Sequence, residues 1–199
     1  MCASANDETM KDMSDFALLD VAKAEIVSRR VDSPVNGAFE EILHRYERLI
    51  YHVARRYFSI PEDAMDASQE SVIKIYKALP RVVLEPEQTL KAWICTVTAR
   101  TCLDTLRKQK IQTVELSEEI TPGTAPSAEE SAIANENTRE LLAAIKKLPK
   151  DQRMILILRD MQGLSYDELA SALNITIGTV KSRLSRARTA LKKLMGRSQ

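Results

Sequence analysis

The sequence predicts an all-α protein built as two small helical domains joined by a flexible acidic linker, the second domain a helix-turn-helix. Three observations predict it. Ala, Leu, Lys, Glu and Arg dominate, with only 5 Gly and 5% aromatic residues in 199. From 111 to 137 the apolar period lapses into Thr121-Pro122-Gly123, Pro126, Ser127 and clustered acids. Finally, Leu164 to Met195 holds two amphipathic periods separated by Asn174-Ile175. A chain of this size with 44% apolar residues supports one medium domain or two small ones.

Charge is distributed unevenly. The formal net charge is +1. Between Ile111 and Thr138 the acids are Glu115, Glu118, Glu119, Glu129, Glu130 and Glu136, with no Lys or Arg. Between Lys181 and Gln199 the cations are Lys181, Arg183, Arg186, Arg188, Lys192, Lys193 and Arg197, with no acid. An acidic middle and a basic end say more about partners than the total does.

Residues 1 to 13 read as a disordered tail. Ser14 can cap a helix carrying Phe16, Leu19, Val21 and Ile26, and Asp32-Ser33-Pro34 breaks it. A second helix runs from about 38 to 58, with Phe39, Ile42, Leu43, Tyr46, Leu49, Ile50 and Val53 on its inner side. A third runs from about Pro61 to Leu79, where Met65, Val72, Tyr76 and Leu79 recur at helical spacing. After a loop from Pro80 to Pro86, a fourth helix covers about 89 to 109 with Trp93, Val97, Leu103 and Leu106. Residues 14 to 110 thus form the first bundle, 111 to 137 the linker and 138 to 199 the second domain. Trp93 is better placed for a core than for insertion between bases.

The second domain opens with a helix to Lys147. Pro149 can begin the next, which carries Ile155, Leu156 and Leu158 and ends near Gln162-Gly163. Ser165 and Glu168 stand at capping-box spacing. Leu169, Ala170 and Leu173 give that helix its buried stripe. Asn174 tolerates a left-handed turn, and Thr176 can cap the last helix on the amide of Thr179. There Val180, Leu184, Ala187, Leu191 and Leu194 share one face. Ser182, Ser185, Arg186 and Thr189 fall opposite. A basic face can be mere solvation. Here it follows a short turn, lacks acids for nineteen residues and has Gly178 in its first turn, where a missing side chain permits close approach. Short hydroxyls near the helix and arginines that reach phosphates or guanine edges suit the DNA major groove.

Other chemistry is poorly supported. The 3 cysteines, Cys2, Cys95 and Cys102, imply no disulfide framework, and His44 and His52 lie far from them, so no metal or cofactor is expected. There is no phosphate-binding loop and no nucleophile–base pair, so an enzyme is not expected. No apolar run is long enough to cross a bilayer and no leader is apparent, so the expected location is the cytoplasm.

Two stretches resemble one family. Leu148-Pro-Lys-Asp-Gln-Arg, Gly163-Leu-Ser-Tyr-Asp-Glu-Leu-Ala and Gly178-Thr-Val-Lys-Ser-Arg-Leu-Ser-Arg-Ala-Arg188 resemble the −35 reading domain of bacterial RNA polymerase sigma factors. Glu62-Asp-Ala-Met-Asp-Ala-Ser-Gln-Glu-Ser-Val-Ile-Lys-Ile-Tyr76, with Lys91-Ala-Trp-Ile94 and Leu103-Asp-Thr-Leu-Arg107, is similar to their core-polymerase-binding region. Order and spacing match the extracytoplasmic-function (ECF) group, reduced to these two domains.

The resemblance implies a promoter-specificity subunit that binds core RNA polymerase at the beta-prime clamp and beta flap, together with promoter DNA. Asp66, Gln69, Glu70 and Lys74 are the implied polymerase-contact residues, although Glu70 and Lys74 also stand at the spacing of a plain helical ion pair. Arg100, Arg107, Lys108 and Lys110 form a basic helix end implied to hold the −10 element beside the loop from Arg81 to Gln88. Many relatives carry Asn where this chain has Arg100. Gly178, Thr179, Lys181, Ser182, Arg183, Ser185 and Arg186 are implied at the −35 element. The acidic linker would thread polymerase toward the RNA path, or serve only as a tether. A controlling anti-sigma factor is a further family expectation. A DNA-binding regulator acting alone on a palindrome is the main rival, and an adaptor protein the lesser one.

Overall fold

The computed structural model describes residues 10–28, 37–84, 89–115 and 136–196. The loop residues 85–88, most of the tail and linker, the break at Asp32-Ser33-Pro34, and Arg197 lie outside them, as does the side chain of Lys110. Among the described residues every regular element is helical. The order is α1 (Asp15–Ser28), α2 (Ala38–Arg55), α3 (Pro61–Ala78) with a 3-10 turn (Leu79–Arg81), α4 (Leu90–Glu115), α5 (Glu136–Lys146), α6 (Lys150–Leu156), α7 (Tyr166–Leu173) and α8 (Ile177–Met195).

The first four helices form a bundle. Ser14 opens α1 as expected, with the Ala17 amide donating to its hydroxyl at 3.3 Å. The inner face of α1 is Leu18, Leu19 and Ala22, with Val21 and Ile26 packed beside it, while Phe16 is 52% exposed. Residues 10–13, expected in the disordered tail, are instead held down: Arg45 of α2 donates to the carbonyls of Met10, Lys11 and Met13 and to Asp15. A guanidinium offers five donors in a fixed fork, so one side chain can fasten a whole turn.

The third helix corrects a second expectation. Its buried face is Ala64, Ala67, Ser68, Ser71 and Ile75, and Met65 points outward, 50% exposed. Ser68 and Ser71 lie inside without polar cost because each hydroxyl donates to the carbonyl four residues back, at 2.6 Å. The fourth helix is longer than expected, reaching Glu115 and so five residues into the segment read as linker. Trp93 packs against the core of the bundle. Cys95 and Cys102 are buried free thiols, each pushed up to about 12 by burial, and are therefore inert packing groups.

Helices α5 to α8 make the second bundle around Ile145, Ile155, Leu158, Leu164, Leu169, Val180 and Leu184. The end of α6 widens into a π turn, Ile157–Met161, where the Gln162 amide reaches the carbonyl of Ile157 at 3.0 Å. Gly163 follows at φ 76, a left-handed position that turns the chain into α7. One buried cluster then runs through both bundles: Tyr57, Ala92, Cys95, Ala99 and Cys102 join Leu148, Met154 and Leu169 in it. The two domains, expected to be tethered and separate, are packed against each other.

Candidate nucleic-acid and polymerase interfaces

The helix-turn-helix forms by local chemistry. Ser165 caps α7 by accepting from the Glu168 amide at 3.1 Å, and Glu168 returns the bond by accepting from the Ser165 amide at 2.7 Å. Two orphan amides are thereby satisfied. Asn174 ends α7 in the left-handed region at φ 53, ψ 53. Two residues later Thr176 caps α8, accepting from the Thr179 amide at 3.2 Å. These three residues fix the angle between α7 and α8.

That angle decides which face of α8 is presented. Val180, Leu184 and Ala187 are buried. Lys181, Ser182, Ser185 and Arg186 are exposed, and Arg183 is half-buried. Gly178 is exposed, and a Cβ there would meet only the Thr176 hydroxyl, at 3.8 Å. No neighbour in the fold demands glycine at this position. Thr179 serves the cap, and the Ser182 hydroxyl donates to the Thr179 carbonyl at 3.0 Å. The expected set Gly178, Thr179, Lys181, Ser182, Arg183, Ser185 and Arg186 therefore lies along the first two and a half turns or so of α8.

Arg183 and Arg186 also line a surface groove of about 470 Å³ with Pro149, Lys150, Asp151 and Gln152 from the start of α6. Sequence reading did not place Lys150 beside them, because it lies more than thirty residues earlier and carries no periodic signal of its own. Arg188, by contrast, is turned away: it forms a two-pronged ion pair with Asp160, at 2.6 and 3.1 Å. It belongs to the structural side of α8, beside the Arg159 guanidinium stacked 4.8 Å over the Tyr166 ring.

The expected polymerase face lies on α3. Asp66, Gln69 and Glu70 are exposed, and Lys74 is half-buried. Glu70 and Lys74 do meet, at 3.7 Å with both side chains substantially exposed, a contact worth little in water. The apolar neighbours Met65 and Ile73, 50% and 46% exposed, flank the carboxylates. The spacing of Met65 with Val72, Tyr76 and Leu79 gave no sign that Met65 would lie outside beside these carboxylates.

The basic end of α4 is divided. Arg107 and Lys108 are exposed. Arg100 is exposed as well, but its guanidinium donates to the carbonyl of Ala172 in α7 at 3.2 Å. At the other end of α4, the Thr89 hydroxyl donates to Glu168 at 2.6 Å and Lys91 donates to the carbonyl of Gln162 at 3.1 Å. Burial alone would raise the Glu168 carboxyl. The bonds from Thr89 and Ser165 and the charge of Lys91 outweigh it and hold the carboxyl below its ordinary value.

Known proteins match this chain in both of its helical units. Residues 42–111 match the Sigma-70 region 2 family, and residues 138–191 match Sigma-70 region 4. The chain is 31% identical over 160 residues to the ECF RNA polymerase sigma factor SigM of Mycobacterium tuberculosis, covering 80% of this chain and 78% of that protein. It is 29% identical over 178 residues to the ECF RNA polymerase sigma-E factor of Salmonella typhimurium, covering 84% and 91%. Among solved structures, the sigma factor RpoE of Bartonella quintana, in complex with the anti-sigma factor NepR, superposes with a TM-score of 0.61 at 26% identity over 79% of this chain and 96% of that one. CnrH, in complex with the cytosolic domain of CnrY, shares the fold at 19% identity, with a TM-score of 0.64 over 93% and 99%.

Two helical units that match Sigma-70 region 2 and region 4 in this order define a transcription initiation factor of the sigma-70 class. Within that class the chain belongs to the ECF RNA polymerase sigma factors and directs transcription from promoters.

Proposed function

We propose the following division of work among its helices. The exposed face of α3, from Asp66, Gln69 and Glu70 with Met65 and Ile73, docks on core RNA polymerase at the beta-prime clamp. Helix α8 reads the −35 duplex with Lys181, Ser182, Arg183, Ser185 and Arg186. The basic end of α4, Arg100, Arg107, Lys108 and Lys110, holds the opened −10 strand. The working units are residues 14–110 and 138–199, with 111–137 as linker. The protein works in the cytoplasm and catalyses no reaction itself. An anti-sigma factor holds it until the inducing signal, as the complexed state of the Bartonella quintana relative suggests.

The observation that carries this reading is the hydroxyl-and-cation face of α8, free of acids and held outward by the Ser165, Asn174 and Thr176 caps. The test is copurification with core polymerase followed by run-off transcription from purified components. Stable association and initiation at one class of two-part promoters support the proposal. Tight binding of the lone chain to an inverted repeat, with no association with core polymerase, supports the rival reading of an independent regulator.

A further inference from the structure

The two serines on the outer face of α8 are not equivalent. Ser185 is exposed and, among the described residues, its hydroxyl has no partner within the chain, so it is free to donate or to accept. Ser182 is exposed as well, but its hydroxyl oxygen lies 3.0 Å from the carbonyl oxygen of Thr179. A carbonyl only accepts, so the direction of that bond is settled. A serine hydroxyl has one proton and two lone pairs. Ser182 commits the proton inward to its own helix and turns the lone pairs outward.

The same kind of donation to the backbone recurs at Ser68, Ser71, Thr96, Thr98 and Thr101. Those residues are buried, and burial leaves their hydroxyls little other choice. Ser182 has water within reach, so its inward bond is set by the helix alone. Gly178, one turn earlier on the same face, leaves the approach to this oxygen open. Side chains of a helix lean over the turn on their N-terminal side, which places the Ser182 hydroxyl beside Gly178. The fold itself makes no demand for glycine there. The neighbouring Lys181, Arg183 and Arg186 offer donors and no acceptors, so Ser182 adds to a donating face a group fixed in the opposite sense.

We propose that Ser182 reads the −35 element as a hydrogen-bond acceptor and so selects the class of base it faces, an amino base (adenine or cytosine) over a keto base (guanine or thymine). The proposal rests on the −35 reading given above and deepens it. In the major groove adenine and cytosine present amino donors, whereas guanine and thymine present acceptor oxygens. A serine hydroxyl ordinarily serves for either kind. Against a keto oxygen, Ser182 would set lone pair against lone pair unless it gave up the bond to Thr179. Each base pair carries its amino group on one strand and its keto oxygen on the other. The contact therefore tells A·T from T·A and C·G from G·C, and does not tell adenine from cytosine.

The test uses holoenzyme assembled from the full chain and core polymerase, with the −35 duplex of a promoter it transcribes. All four bases are placed in turn at each position. At one position, adenine and cytosine on one strand should each be bound about fivefold more tightly than guanine and thymine, the weight of one hydrogen bond. Replacing that adenine by purine, which lacks only the amino group, should give the same loss with the wild-type chain. Ser182→Ala, a change that an exposed helix position accepts readily, should abolish the step between amino and keto bases at that position. Amino and keto bases bound alike throughout, amino preferences that all survive Ser182→Ala, or purine bound as tightly as adenine each overturns the proposal and leaves the −35 reading intact. Failure of the wild-type holoenzyme to bind the −35 duplex overturns that reading itself.

Discussion

Two helices carry the cations proposed to meet DNA, and they differ in what surrounds them. On α8 the side chains of Lys181, Ser185 and Arg186 stand exposed, because caps within a dozen residues set the helix angle. On α4 the key arginine is engaged by a carbonyl 72 residues away. The first arrangement is local and leaves its face permanently available. The second is long-range, and its arginine already has a partner within the fold.

The largest way to break the comparison is to remove the support of α8. Leu184 is buried beneath the recognition face, and Leu184→Ala should cost about 2–5 kcal/mol. Urea denaturation followed by circular dichroism reads this loss. Next in size is the proposed polymerase face on α3. Asp66→Ala with Glu70→Ala should weaken core-polymerase binding about tenfold, equivalent to about 1.4 kcal/mol, while leaving the melting midpoint nearly unchanged because both side chains are exposed. Titration against labelled core enzyme checks it, and unchanged affinity would move the docking site off α3.

A smaller effect probes the caps that make α8 legible. Ser165→Ala removes one half of the capping box and should destabilise the protein by about 1 kcal/mol. The smallest concerns the contact between the two bundles. The Glu168 carboxyl is held below its ordinary value in the folded chain, so its stabilising contribution is complete above the unfolded value and is lost as pH falls through the folded one. Glu168→Gln should therefore flatten the acid limb of a stability profile taken from about pH 6 to about pH 3. A variant that keeps the full acid limb would show that other carboxylates govern it.

The same contrast explains what could be read from the residues alone. Ser165, Glu168, Asn174 and Thr176 act within three residues of their partners, so both caps and the left-handed turn were legible. The all-helical class followed from composition and period. Met65 misled, because α3 buries alanines and serines rather than its larger apolar residues, and small side chains carry a weak hydrophobic signal. On α1, likewise, Ala22 is deeply buried while Phe16 faces out. The Arg45 clamp on residues 10–13 and the bonds of Thr89, Lys91, Arg100 and Lys146 between the bundles join positions tens of residues apart, and no local pattern announces them.

The central claim is that α8 reads duplex through its open cationic face, and the most direct measurement is the salt dependence of holoenzyme binding to a −35 duplex. If four cations contact phosphates, affinity falls about 10²-fold between 50 and 200 mM salt. Arg183→Ala and Arg186→Ala should each cost about 1–3 kcal/mol where they read a base, or reduce the salt slope by about one where they contact phosphate. Affinity and slope left unchanged by both substitutions would contradict the placement of this helix on DNA.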